Sequence, residues 1–269
     1  MTTPDTLLAA LHAQADANLI DVLRVHAGWQ EPSQLEERDG LLMLAGATKL
    51  PIAYINCAVR VDRNLPPDEA LQRATDFFRS HGRGFTMYTR RSVDADLEAF
   101  LAEDPAQTPP SSSPCMIVTA QVPMPTAREG ISLERYTTAK HVNDALKVVI
   151  EAYGSLGLPE REAQVLFEHP QRLLDSALTG VVAYRAGEPV ATALAIHTGR
   201  ASGIYWVSTS LKAQRLGLAS LCTAWVTNAC FEQGATAVNL QASEQGAPVY
   251  PRLGYQTFDQ LSWWHRQTR

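Results

Sequence analysis

The stretch Val207-Ser208-Thr209-Ser210-Leu211-Lys212-Ala213-Gln214-Arg215-Leu216-Gly217-Leu218-Ala219-Ser220 decides how the chain is read. Its first residues are β-formers, and a turn with Gly217 and small Ala219 follows. A long apolar helix then runs over Arg215 to Gln233, with Gly234 as its stop. Small residues at such a turn let a ligand approach the backbone, and the first N–H groups of the helix converge at its positive end. That arrangement suits a pyrophosphate. It matches neither the GxxxxGK[ST] phosphate loop nor the GxGxxG dinucleotide fingerprint.

Outward from this segment, strands and helices alternate. Upstream, Ile131 to Tyr136 reads as a strand, Ala139 to Tyr153 and Pro159 to Leu174 as helices, and Val181 to Tyr184 with Val190 to His197 as a hairpin about Ala186-Gly187-Glu188. Ile204 to Ser210 is the strand entering the turn. Downstream come a strand at Val238 to Gln241, a short helix at Pro248 to Leu253, and terminal strands at Tyr255 to Phe258 and Ser262 to His265.

The first half echoes this plan. A helix spans Leu7 to Val25, and strands at Leu41 to Ala45 and Ile52 to Val61 precede a helix that starts at Pro66-Pro67-Asp68-Glu69 and stops at Gly82. A strand at Phe85 to Tyr88, a helix at Ser92 to Leu101 and a strand at Cys115 to Val122 complete it. Pro123-Met124-Pro125-Thr126 reads as the boundary, giving domains 1–125 and 126–269; the Pro/Ser-rich Asp104 to Pro114 is a loop within the first. Two prolines and two acids at the start of the first-half helix remove donors and repel phosphate. Two strands precede that helix, against three in the second half, so one cofactor site per chain is expected.

The 269 residues carry a formal charge of −5 with 45% hydrophobic and 19% charged residues, a globular composition that argues against nucleic acid as the main partner. Cys57, Cys115, Cys222 and Cys230 show no CxxC spacing and no accompanying His pair, so no metal site and a reducing cytoplasm are expected. No leader sequence and no membrane span are read from the sequence.

Gln214-x-x-Gly217-x-Ala219 matches the [Q/R]xxGx[G/A] motif of the GNAT superfamily of N-acetyltransferases, and Gly246-Ala247-Pro248-Val249-Tyr250-Pro251-Arg252-Leu253-Gly254-Tyr255 resembles the family's G-x-P-V-Y-x-x-L-G-F ending. The resemblance covers residues 130 to 269 and implies acetyl-CoA as donor and an acyltransferase acting on a small-molecule amine, in a monomer or homodimer. A CoA-binding sensor without catalysis is the alternative. The implied fold is α/β (α+β): two GNAT-like domains, each a mostly antiparallel mixed sheet flanked by helices, the first degenerate.

By the same resemblance, Val207, Ser208 and Thr209 pair with the pantetheine arm. The loop Gln214, Arg215, Leu216, Gly217, Leu218, Ala219 and Ser220 holds the pyrophosphate, and Tyr250 is the acid for the leaving thiolate. Two departures stand out. Ser243-Glu244-Gln245 occupies the stretch where relatives often have an asparagine that bonds pantetheine, so either Gln245 substitutes or the contact is absent. Ile204-Tyr205-Trp206-Val207-Ser208 also lacks the carboxylate that relatives use as base. Glu151, Glu168, His169 and His197 are the positional candidates for that base; Tyr205 and Trp206 point to opposite faces of their strand.

Overall fold

The computed structural model describes residues 4–104 and 110–268, so part of the Pro/Ser-rich loop lies outside the described residues, as do the side chains of Leu7 and Leu8. In chain order the elements are α1 (Pro4–Trp29), β1 (Gln34–Arg38), β2 (Leu41–Ala45), β3 (Asn56–Arg60), α2 (Pro67–Ser80), β4 (Phe85–Arg90), α3 (Ala95–Glu103) and β5 (Ser111–Val118). There follow β6 (Ile131–Arg135), α4 (Ala139–Gly154), α5 (Glu160–Phe167), β7 (Leu178–Arg185), β8 (Glu188–Thr198) and β9 (Ala201–Thr209). The last are α6 (Leu218–Glu232), β10 (Ala237–Gln241) and β11 (Gln256–Arg266).

Two compact units form, and each includes one chain end from beyond the expected boundary. Residues 1–22 and 116–258 make the larger unit, residues 23–115 and 259–269 the smaller. This differs from a contiguous division at residue 125, for a packing reason at each end. Ala15 and Leu11 of α1 pack with Ile117, Ala237 and Phe258 of the larger unit. The end of β11 pairs antiparallel with β4 of the smaller unit, from Leu261 opposite Arg90 to Arg266 opposite Phe85.

In the larger unit the strand order is β5-β10-β9-β8-β7-β6. Neighbours from β6 to β9 run antiparallel, while β9 and β10 run parallel, joined through α6. The hairpin β7–β8 turns at Ala186 and Gly187, with φ of 52° and 79°, the two left-handed residues a tight two-residue hairpin requires. Its strands are buried almost throughout, and the alanines of β8 face the apolar side of α6 in one core with Val181, Ile204, Leu221 and Val238. Burying each larger side chain there contributes about 1.5–3 kcal/mol.

In the smaller unit β1, β2 and β3 are antiparallel, and β3 and β4 are parallel through α2. Three strands thus precede α2, as β7 to β9 precede α6, and the expected count of two is corrected. The missed strand β1 is polar and exposed, Gln-Leu-Glu-Glu-Arg, so it carries no apolar alternation; the Asp39-Gly40 turn, with φ of 51° and 84°, marks it instead. Other boundaries move for local reasons. Residues 53–55 form a turn with Tyr54 left-handed, so the strand starts only at Asn56. The fifth strand ends at Val118, the helix at α5 gives way to a 3-10 turn at Pro170–Leu174, and the two expected terminal strands are the single β11.

A fragment starting at residue 126 would lack α1 and all of β5 and leave Leu261–Arg266 without β4. It is expected to be insoluble or molten when expressed alone; a sharp thermal transition from such a fragment would contradict the interchange of chain ends.

Candidate functional site

The site begins with a bulge. On β8, Thr192 lies opposite Ser208 and Leu194 opposite Tyr205, so Ala193 faces two residues, Trp206 and Val207. Trp206 takes up the extra length with φ of 54°, a left-handed conformation that costs a bulky residue about 1–3 kcal/mol. Its ring repays the strain by edge packing on Tyr153 of α4 at 5.4 Å and Phe167 of α5 at 5.7 Å. Past the bulge β9 continues to Thr209, whereas its parallel ladder with β10 ends at Ile204 opposite Leu240. The two strands fork there.

A cavity of about 490 Å³ occupies the fork side of β9. Val207, Ser208 and Thr209 form one wall, Gln214, Arg215, Gly217, Leu218, Ala219 and Ser220 the floor, and Ser243, Gln245, Gly246, Tyr250 and Arg252 the far wall. The structure thus brings together the residues expected to hold the cofactor and the expected acid Tyr250, except Leu216. The Leu216 side chain lines a separate recess with Arg128, Glu129, Ile131 and Arg185, because left-handed residues on both sides of it, Arg215 and Gly217, turn it away.

The floor is rich in free donors. Gly217, at φ 78°, precedes α6 without any side-chain cap. Leu221 is the first α6 amide to find a backbone acceptor, the Gly217 carbonyl at 3.0 Å, so the N–H groups of Leu218, Ala219 and Ser220 come before any intrahelical partner. These donors and the helix dipole favour an anion, and Arg215 and Arg252 add positive charge at the wall. The Thr209 hydroxyl oxygen is buried with no partner among the described residues, a further group suited to a ligand.

Tyr250 opens a 3-10 turn and is 6% exposed. Its ring meets Tyr255 at 6.0 Å, and its hydroxyl lies beside Gly246, where an added Cβ would approach within 3.3 Å. Burial first, and then neighbouring Tyr153, push the phenol well above its ordinary pKa. It therefore stays protonated and can donate, not accept, toward a developing anion. Gln245 lines the same wall. Sequence reading missed Tyr153, Ser155 and Leu156, which close the cavity from the end of α4; nothing in the helix's apolar pattern distinguishes them.

The four candidate bases are not brought together. Glu151 accepts the Leu211 amide at 2.7 Å and so fixes the turn after β9. His197 is held between the Thr179 and Ser202 hydroxyls at 2.9 and 2.7 Å, and burial lowers its pKa. Glu168 pairs with Arg161 at 3.4 Å, and His169 precedes the 3-10 turn outside the cavity wall. Tyr205 and Trp206 do face opposite ways: the Tyr205 hydroxyl donates to Asn18 of α1 at 3.1 Å.

The equivalent place in the smaller unit is filled. β3 and β4 are paired as far as Val59 opposite Tyr88, and the next residue of β3 is Arg60, 1% exposed. Its guanidinium donates to Asp94 at 3.1 Å and to Asp96, while Arg90 donates to Asp94 at 2.9 Å and to the Arg60 carbonyl at 2.6 Å. Pro67, which has no N–H, and the carboxylates of Asp68 and Glu69 open α2 and disfavour an anion at this end of the smaller sheet.

No family model and no curated protein matches the chain. Solved structures do. A GCN5-related N-acetyltransferase from Kribbella flavida aligns over 92% of this chain and 95% of its own, with a TM-score of 0.70 at 22% identity. The chain has the GCN5-related N-acetyltransferase (GNAT) fold. A GCN5-related N-acetyltransferase from Sphaerobacter thermophilus matches over 93% of this chain and 85% of its own, with a TM-score of 0.65 at 16% identity. A tandem GNAT protein from the clavulanic acid biosynthesis pathway matches over 96% and 95%, with a TM-score of 0.61 at 11% identity. The GNAT likeness thus takes in both halves of the chain. Among the described residues no helix is long and apolar enough to cross a membrane.

Trp206→Ala removes the ring that holds the bulge. It is expected to destabilise the larger unit by about 3–5 kcal/mol, read as a fall of several degrees in Tm by calorimetry; an unchanged Tm would show that the bulge is held by something else.

Proposed function

We propose that the larger unit is an acyltransferase that binds acetyl-CoA or a related acyl-CoA and transfers the acyl group to the nitrogen of a primary amine, a small molecule. One observation carries this reading: a single cavity unites the uncapped first turn of α6 with the buried phenol of Tyr250. The amides of Leu218, Ala219 and Ser220, with Arg215 and Arg252, would take the pyrophosphate. Val207, Ser208 and Thr209, freed from β10 by the fork, would meet the pantetheine amides through their backbone. Gln245 on the opposite wall offers a carboxamide to the same arm.

The chemistry asks little more of the chain. An amine nitrogen attacks the thioester carbonyl, the C–S bond breaks, and negative charge gathers on sulfur. Tyr250, kept protonated by its burial, donates a hydrogen bond to that charge. All four cysteines are buried and outside disulfides, and burial raises the Cys57, Cys222 and Cys230 thiols to about 12, which keeps those three protonated and poor nucleophiles. These free thiols are in keeping with a reducing, cytoplasmic setting.

Acetyl-CoA at one hundred times its Kd should stabilise the native protein by about 2.7 kcal/mol, seen as a clear rise in Tm. Ala219→Asp, which places a carboxylate at the helix N-terminus, is expected to abolish that rise; a rise that survives in the variant would mean the ligand binds elsewhere. Tyr250→Phe should keep the rise and lower kcat for thiol release by about 10²-fold. If wild type binds acetyl-CoA yet no amine elicits thiol release, the protein is a sensor and not a transferase.

A further inference from the structure

Two phenols border the cavity, and they are set apart from the other tyrosines by what their hydroxyls do. The Tyr88 hydroxyl accepts the Tyr54 amide at 3.0 Å, and Tyr184 and Tyr205 donate to Asp144 at 2.9 Å and Asn18 at 3.1 Å. Tyr136 and Tyr255 exchange hydrogen bonds with the hydroxyls of Thr192 at 2.5 Å and Thr227 at 2.7 Å. The hydroxyls of Tyr153 and Tyr250 make no hydrogen bond among the described residues, and these two residues both line the cavity. Elsewhere the protein answers its own phenols; here two are left for a ligand.

Tyr153 is fixed at the last turn of α4 by two ties to β9 and its exit. Its ring packs edge-on against Trp206 at 5.4 Å, the residue before Val207. Glu151, two positions earlier, accepts the Leu211 amide at 2.7 Å, just past Thr209. The ties thus bracket the wall formed by Val207, Ser208 and Thr209. Packing alone does not call for the hydroxyl, because Phe167 makes the same kind of edge contact with Trp206 from α5, at 5.7 Å, without one. The oxygen is surplus to the core. Desolvation raises the Tyr153 phenol to about 12, and Tyr153 in turn adds to the rise at Tyr250, so the two are electrostatic neighbours that both stay protonated near neutral pH.

We infer that the acyl end of the thioester lies between two phenols, with Tyr250 donating toward sulfur and Tyr153 donating to the carbonyl oxygen. The inference rests on the acyltransferase reading. An arm that leaves the first turn of α6 and follows Thr209, Ser208 and Val207 carries its acyl group toward Trp206, the residue on which Tyr153 packs. Negative charge appears twice in the reaction, at different atoms. As the amine nitrogen bonds to the acyl carbon, the carbonyl π pair moves onto oxygen, and the Tyr153 hydroxyl meets it there. As that pair returns, the C–S bond breaks, its electrons leave on sulfur, and Tyr250 supplies the proton. The proton shed by nitrogen balances the one Tyr250 gives up, and Tyr153 keeps its own throughout. One phenol serves each atom.

Ethyl-CoA, a thioether that keeps the sulfur and lacks the carbonyl oxygen, separates the two phenols without any acceptor amine. Wild type is expected to bind acetyl-CoA about fivefold more tightly than ethyl-CoA, the worth of one neutral hydrogen bond. Tyr153→Phe keeps the ring on Trp206, and so the Tm of the free protein, but should bind the two ligands equally. Tyr250→Phe should retain the preference. In infrared difference spectra, the carbonyl band of isotope-labelled acetyl-CoA should move to lower frequency on binding to wild type and Tyr250→Phe, and this displacement should be lost in Tyr153→Phe. Equal affinity of wild type for both ligands, a preference that survives Tyr153→Phe, or a band displaced equally in wild type and Tyr153→Phe overturns the inference while the acyltransferase reading stands. Failure of acetyl-CoA to raise the wild-type Tm overturns that reading and this inference with it.

Discussion

The left-handed backbone of Trp206 is the constraint on which the rest of the larger unit turns. One surplus residue on β9 must be absorbed opposite Ala193, and absorbing it swings the end of the strand away from β10. Without that divergence Val207 to Thr209 would be sealed into a ladder, and the cavity floor at α6 would open onto packed strands. The conformation is disfavoured for any side chain, and most of all for a bulky one. It persists because the indole fits between Tyr153 and Phe167, so the helices α4 and α5 hold the fork open from a distance.

The two units run one plan to opposite ends. In both, a run of antiparallel strands, four in the larger unit and three in the smaller, leads to a parallel partner through a helix, and in both the parallel ladder is short. What differs is the chemistry just past the last paired residue. In the larger unit, small residues and unpaired amides follow; in the smaller, a guanidinium, two carboxylates and a proline-led helix. A few side chains at one end of a sheet separate a ligand cleft from a solid wall.

Much of this was legible in the sequence, and the limits of legibility have physical causes. The loop from Gln214 to Ala219 and the Tyr250 segment could be read because they combine rare requirements: left-handed backbone, small side chains and fixed spacing. Strand β1 escaped because an exposed edge strand needs no apolar alternation, although Asp39-Gly40 carried its hairpin signal. The interchange of the chain ends was invisible because a strand's sequence says which face is apolar and not which neighbour it joins. Asn239 had a trace in the sequence: it and Gln241 are two carboxamides at alternate positions of a strand, and Asn239 is fully buried. Polarity at such positions is costly unless partnered, but its partner Asn18 lies 221 residues away.

The buried charges of the smaller unit carry a consequence for its cohesion. Asp94 is the carboxylate that Arg60 and Arg90 share, so replacing it would strip both buried guanidinium groups of that partner, at a cost of about 3–5 kcal/mol. One carboxylate thus fastens the end of β3, the end of β4 and the start of α3 together, so this corner of the smaller unit holds or yields as a single piece.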